Sequence, residues 1–262
     1  MKVIVPIKQV YDLTTVRVSR SRGLLDTREA ALILNPADRF PLEEALALKQ
    51  EAGAHVVALT MGPAEAEDML REALAMGVDE ALLLTHDAFS SVDASAAVMI
   101  VGEAINKIGD YDLILTGYRA TGEGTGEFAP RLAQYLGLPQ ILRASGLQVG
   151  DGRAVARRRL SSGYATWETP LPAVISVDQA ANKPRHPSVP GSIAAYEERT
   201  VSIWGAEDLG LTPEAIAEST RTAVRTSYAA PERERGRVLT GEPEQTTREV
   251  LQELKARGLI QS

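Results

Sequence analysis

In this chain of 262 residues, acidic side chains outnumber basic ones by 35 to 28. The net charge of −7 excludes the basic face that a nucleic-acid binder presents. There is no cysteine, which removes disulfides, thiol catalysis, thiolate zinc sites and iron–sulfur clusters together. Hydrophobic residues make up 44% but aromatics only 5%, so the core must be aliphatic, and the length suits one α/β domain with an extension or two small domains.

The first apolar stretch, Val3–Ile7, reads as a buried strand. It is too brief for a signal peptide, and no apolar run approaches the roughly 18 residues of a membrane helix. A cytoplasmic chain without membrane insertion is expected. Val16–Ser19 alternates as a short edge strand. Asn35-Pro36 marks a turn, and Asp38 is placed to cap a helix with Leu42, Ala45, Leu46 and Lys49 on one side, which Gly53 ends. His55–Leu59 is the next strand. Gly62-Pro63 opens a helix whose buried face is Met69, Leu70, Ala73 and Leu74, stopped at Gly77. Ala81–Leu84 is a third strand. Asp93–Ile108 is a helix expected to turn Ala97, Ile100, Val101, Ala104 and Ile105 inward.

The stretch Leu113–Leu136 organises the rest. An apolar strand, Leu113–Thr116, leads into a turn spaced by Gly117, Gly122, Gly124 and Gly126. A helix follows with Phe128, Leu132, Tyr135 and Leu136 on one face, closed by Gly137 and Pro139. Strand, glycine loop and helix present backbone N–H groups to an anion at a helix N-terminus. An adenine-nucleotide phosphate site and an ordinary glycine-rich turn are both open on spacing alone. Gly122-x-Gly124-x-Gly126 is not the dinucleotide spacing, and no Gly-Lys-Ser/Thr makes a P-loop. The alternation of strands and helices predicts a parallel sheet with helices on both faces, of Rossmann-like nucleotide-binding type. Ligands then sit beyond the carboxyl ends of the strands, at the loops after Ile7, Thr60 and Thr116.

After Gly137 the pattern changes. Gly150-Asp-Gly152 is a hairpin turn, and Ala154–Leu160 and Tyr164–Thr169 flank a second turn at Ser161-Ser-Gly. Ala173–Val177 is a buried strand. A loop, Asp178–Ser192, carries Pro184, Pro187 and Pro190. Beyond Trp204 the chain is polar, with a short helix starting at Thr212-Pro and an amphipathic one over Glu244–Arg257. Between them, Tyr228–Arg237 lacks the apolar content to fold alone. The expected division is an α/β domain over 1–204 and a C-terminal arm over 205–262.

Catalytic chemistry is hard to find. Histidines 55, 86 and 186 have no metal-ligand spacing, and no hydrolase or metalloprotease motif is present. Glu43-Glu44 sit at adjacent helix positions and read as a solvated face. Of Arg157-Arg158-Arg159, at most two share a strand face.

Several stretches, in order, resemble the beta subunit of electron transfer flavoprotein, the FixA family: Val5-Pro-Ile-Lys-Gln-Val, Leu34-Asn35-Pro36, Leu42-Glu43-Glu44-Ala45, Gly62-Pro63, Leu74-Ala75-Met76-Gly77-Val78-Asp79, Leu171-Pro172-Ala173-Val174-Ile175 and Asn182-Lys183-Pro184-Arg185. The resemblance implies an electron carrier subunit without its own catalytic residues, paired with an alpha subunit that carries redox-active FAD. This chain would hold AMP or, in electron-bifurcating relatives that oxidise NADH, a second FAD. A stand-alone nucleotide-binding or hydrolysing module is the alternative of another class.

By resemblance the nucleotide site maps onto Pro6, Asn35, Met61, Ala120, Glu123, Thr125, Gly126, Glu127 and Phe128. The family's recognition loop maps onto Asn182–Ile193, with Val189 where leucine is usual and with Pro190 and Arg185 beside it, facing a donor dehydrogenase. The C-terminal arm would wrap the alpha subunit. The turn Ala120-Thr-Gly-Glu-Gly-Thr-Gly-Glu-Phe departs from the family's A-I-D-G-D-T-A-Q-V, and Ser161-Ser162 replaces its usual D-G.

Overall fold

A computed structural model describes residues 1–19, 24–90, 92–122, 124–226 and 236–260. Its strands are β1 (Lys2–Pro6), β2 (Gln9–Tyr11), β3 (Arg17–Ser19), β4 (Leu24–Asp26), β5 (Leu32–Leu34), β6 (His55–Met61), β7 (Glu80–Leu84), β8 (Leu113–Gly117), β9 (Gln140–Gly150), β10 (Arg153–Leu160), β11 (Gly163–Pro170), β12 (Ala173–Val177) and β13 (Val201–Trp204). Its helices are α1 (Arg39–Ala52), α2 (Glu67–Met76), α3 (Ala94–Ile108), α4 (Phe128–Leu136), α5 (Val189–Glu197), α6 (Pro213–Ser219) and α7 (Pro243–Ala256).

Nine strands form one sheet in the order β11-β10-β9-β12-β8-β1-β6-β7-β13. From β9 to β13 across the sheet, every neighbouring pair is parallel; β10 alone is reversed, pairing antiparallel with both β9 and β11. The two-residue side-chain period divides the core. Val3, Val5, Val56, Ala58, Leu113 and Leu115 face α1, α2 and α5, whereas Ile4, Val57, Leu59 and Ile114 face α3, α4 and α6. Both faces are therefore covered, which is why the central strands read as unbroken apolar runs. The expected α/β class with hairpin additions is what the chain adopts.

Gly137 ends α4 in the left-handed region, at φ 67°, and its N–H reaches Ala133 and Gln134. The Asp151-Gly152 turn joins β9 to β10 with both residues at positive φ. Several expectations need correcting. Asp38 does not cap α1 with its side chain; it turns inward, as described below. Pro63 caps a short 3-10 turn, Ala64–Ala66, that precedes α2. Ala97 is only half-buried, and Ala96 and Val98 take the core positions. Tyr135 is exposed, laid over Gly102, with its hydroxyl donating to Glu103 at 2.5 Å. The loop after β12 stops at Ser188, whose hydroxyl accepts from Gly191 N–H and starts α5 with Pro190 in its first turn.

Glu43 and Glu44 are not a solvated face. Arg185 donates to both Glu43 oxygens at 2.8 Å, and the Arg185 N–H adds a third bond at 2.9 Å. Asn182 donates to Glu44 and to the Phe40 carbonyl. The helix-spacing rule describes contacts within one helix, and these partners lie about 140 positions away in sequence.

Beyond β13 the chain still belongs to the body. Ala206, Leu209 and Ile216 are buried against α3. Trp204 is half-buried under the Lys107 ammonium, 4.4 Å from its ring centre, while Trp167 on β11 is 53% exposed. In α7 no residue is buried, and Val250 and Leu251 are nearly half exposed. Part of the expected core-less stretch, residues 228–235, lies outside the described residues. Among the described residues, no helix is long and apolar enough to cross a membrane.

Candidate functional site

The carboxyl ends of β1, β6 and β8 open onto one cleft. It is lined by Pro6, Ile7 and Lys8, by Thr60 and Met61, and by Gly117. The turn contributes Arg119, Ala120, Thr125, Gly126, Glu127 and Phe128, and the start of α3 contributes Asp93, Ala94 and Ala97. In parallel α/β sheets this is where ligands bind, because strand ends and helix N-termini converge there.

Asn35 holds the turn. It is buried; its Nδ2 donates to the Arg119 carbonyl at 2.9 Å, and its Oδ1 accepts from Thr121 N–H and hydroxyl at 3.2 and 3.1 Å. Both ends of the amide are used, so the turn is tied to the loop after β5 at a fixed height. Asp38 lies on the cleft floor, accepting from Lys8 N–H at 2.8 Å. Burial pushes its carboxyl up to about 7, although N–H groups of Lys8 and Gly117 and the Asn35 side chain favour the charge. A Cβ on Gly117 would stand 2.1 Å from Asp38 Oδ1, so glycine is required there by space alone.

Gly126 is needed twice over. Its φ is +68°, and a Cβ would meet the Tyr118 carbonyl at 2.9 Å. The turn closes on itself through Gly124 N–H to the Ala120 carbonyl. Glu127, before α4, is drawn away from the helix N-terminus by Arg131, whose guanidinium also donates to Ser95. Its negative charge is thereby offset where an anion would approach. Thr60 Oγ1 is buried in the cleft wall with no hydrogen-bond partner, a costly condition unless something else supplies one.

Asp93 completes the rim. One oxygen caps α3, accepting from Ser95 and Ala96 N–H; the other accepts from Arg221 N–H, Thr222 N–H and Thr222 Oγ1, each at 2.9 Å. Burial opposes the charge, but these bonds hold the carboxyl down at about 2.

Of the sequence-derived site residues, Pro6, Asn35, Met61, Ala120, Thr125, Gly126, Glu127 and Phe128 all line this cleft; Glu123 lies outside the described residues. Val189, Pro190 and Arg185 are not among its lining residues. Val189, 75% exposed, opens α5, which abuts α2 so closely that a Cβ on Gly191 would meet the Ala75 carbonyl at 2.4 Å. Arg185 is engaged by Glu43. Sequence reasoning pointed to the loops after Ile7 and Thr60 without naming Lys8 or Thr60 as site residues, and it missed Arg119 and the roles of Asp38 and Asp93.

A family model described as the electron transfer flavoprotein domain matches residues 23–206. The chain is 36% identical over 243 residues to the caffeyl-CoA reductase-Etf complex subunit CarD of Acetobacterium woodii, covering 92% of each chain. It is 32% identical over 261 residues to the electron transfer flavoprotein subunit beta of Thermoanaerobacterium thermosaccharolyticum, covering 99% of this chain and all of the other. It is 35% identical over 218 residues to protein FixA of Azorhizobium caulinodans, covering 80% and 77%.

Proposed function

The chain belongs to the electron transfer flavoprotein family as a beta-type subunit, and from that premise we propose that its cleft binds AMP while an alpha subunit holds the redox-active FAD. The observation that supports this most is the convergence of three strand ends and the Asn35-clamped glycine turn on one cleft containing a buried, unpartnered Thr60 hydroxyl. The residues present fit a nucleotide monophosphate. Thr60 lacks a partner that a ribose or phosphate oxygen would supply. Gly126 leaves room for close approach of backbone to ligand, and Thr125 and the first turn of α4 offer donors to a phosphate. Pro6, Met61 and Phe128 form the apolar walls.

FAD in the complex supplies the capacity to accept and pass electrons. This chain's own residues bind, orient and dock, and we assign it no catalytic residue. We place it in the cytoplasm. Val189 is the proposed anchor for a donor dehydrogenase, held outward by α5 and by the Arg185–Glu43 pair behind it. The segment beyond residue 222, with the half-exposed Val250 and Leu251 of α7, is the proposed contact with the alpha subunit. Family membership disfavours a stand-alone module. A second reading, in which a second FAD replaces AMP and the complex oxidises NADH, is favoured by Lys8 and Arg119 lining the same cleft, since two cations suit a diphosphate.

The test is the nucleotide released on denaturing the co-expressed pair. One FAD with one AMP supports the first reading, and two FAD the second. Gly126→Val should empty the site while keeping the alpha-bound FAD. Unchanged nucleotide content in that variant would place the site elsewhere.

A further inference from the structure

Asp93 joins two regions of the molecule. It lines the cleft, and α3 starts on one of its oxygens. Its other oxygen takes three donors from residues 221 and 222, where the chain leaves the body. The segment leading there is anchored on the same helix, with Ile216 buried against α3 and Ser219 Oγ contacting Met99 Sδ at 3.1 Å. We infer that Asp93 is a latch coupling the cleft to the C-terminal segment, so that an anionic nucleotide and the docking of residues 221–222 favour one another.

The sign follows from charge. A carboxylate beside an anion site is unfavourable unless its charge is spread over donors. Docked, Asp93 has five donors; when residues 221–222 leave, three of the five go with them, and a less compensated carboxylate remains on the lining of the cleft. A nucleotide phosphate then meets a negative charge offset by two donors instead of five. Binding is accordingly tighter to the docked form, and by reciprocity the bound nucleotide holds the segment down. The inference rests on the nucleotide reading above, and its test separates the two.

Asp93→Asn isolates the latch. An asparagine keeps an acceptor for the α3 cap, but its NH₂ meets three donors on the other side. The measurement is amide hydrogen exchange across residues 214–226 and across α3, with calorimetry of AMP, on the full-length chain complexed with its alpha-type partner and depleted of nucleotide. In the parent protein, AMP should slow exchange of 214–226 about threefold or more. In Asp93→Asn, exchange there should be about tenfold faster, α3 should be unchanged, AMP affinity should not fall because no carboxylate is left to repel the phosphate, and AMP should no longer protect the segment. Thr222→Val, which removes one donor of five and leaves the cap and the carboxylate intact, should speed exchange of the segment less and lower AMP affinity about twofold to threefold, and it decides the matter if Asp93→Asn does not fold. AMP binding that leaves parent exchange unaltered, or unaltered segment exchange in the variants, overturns the coupling alone. Absence of any AMP heat overturns the nucleotide reading and the coupling together.

Discussion

Two asparagines do comparable work in two loops, and they are satisfied differently. Asn35 ties the glycine turn to the β1 side of the sheet with donor and acceptor both engaged. Asn182 ties the loop after β12 to α1 through its NH₂ alone, leaving Oδ1 buried without a partner. Around Asn35 the neighbours are the Arg119 carbonyl, Thr121 and one buried carboxyl group, Asp38. Around Asn182 they are carboxylates: Arg185 holds Glu43 below the usual range despite its partial burial, while burial pushes Glu44 above it. The first clamp fixes the turn that lines the candidate cleft. The second holds the loop that leads to the exposed Val189, the proposed anchor, whose requirement in that role is only to project. A fully satisfied buried polar network specifies one geometry; a partly satisfied one tolerates more.

The largest expected effect is Asn35→Ala. It leaves the Arg119 carbonyl and two Thr121 donors without their partner, which should cost about 4 kcal/mol of stability. Urea midpoints measure this, and co-purified nucleotide should vanish with it. A loss below about 1 kcal/mol would mean water replaces the clamp and the contrast with Asn182 is empty.

Asp38 sharpens the comparison through pH. Its folded value, about 7, lies above the ordinary 3.8. Between those values the folded state keeps a proton that the unfolded chain has released, so stability falls as pH rises through the window, by up to about 1.4 kcal/mol per unit. Asp38→Asn should remove that slope. Denaturation of both proteins at pH 4.5 and pH 7.5 should therefore show the variant gaining on the parent at the higher pH; parallel behaviour would refute the buried, uncharged carboxyl.

Asn182→Ala should cost only about 1 kcal/mol, because the lost bonds are partly offset by removal of the orphaned oxygen. Its signature should be a raised KM for the donor dehydrogenase with nucleotide content intact. Val189→Ala should leave stability unchanged and raise that KM roughly fivefold, the loss of about 1 kcal/mol of apolar contact. Steady-state titration with dehydrogenase reads both, and an unmoved KM in Val189→Ala removes the docking role.

The cleft is more legible in sequence than the contacts that hold the loop after β12 and the segment after β13. The β8 strand, the glycines and α4 announce themselves through local periodicity and turn chemistry, and strand ends in a parallel sheet converge by topology. Asp38 was misread because a cap signal is local, while its real partners, Lys8 and Gly117, arrive from β1 and β8. Glu43 and Glu44 were misread for the same reason. The docking of residues 206–222 rests on a few spaced apolar residues, Leu209 and Ile216 among them, too sparse to give a period.

The two tryptophans give the molecule a pair of built-in optical reporters. Trp204, sheltered by Lys107 at the far edge of the sheet, should emit toward the blue and respond to unfolding of the body. Trp167, on the opposite edge strand, should emit as in water until a partner covers the hairpin. A blue shift on mixing with the alpha-type subunit, quenched less by iodide than before, would then locate that contact on β11 without any label.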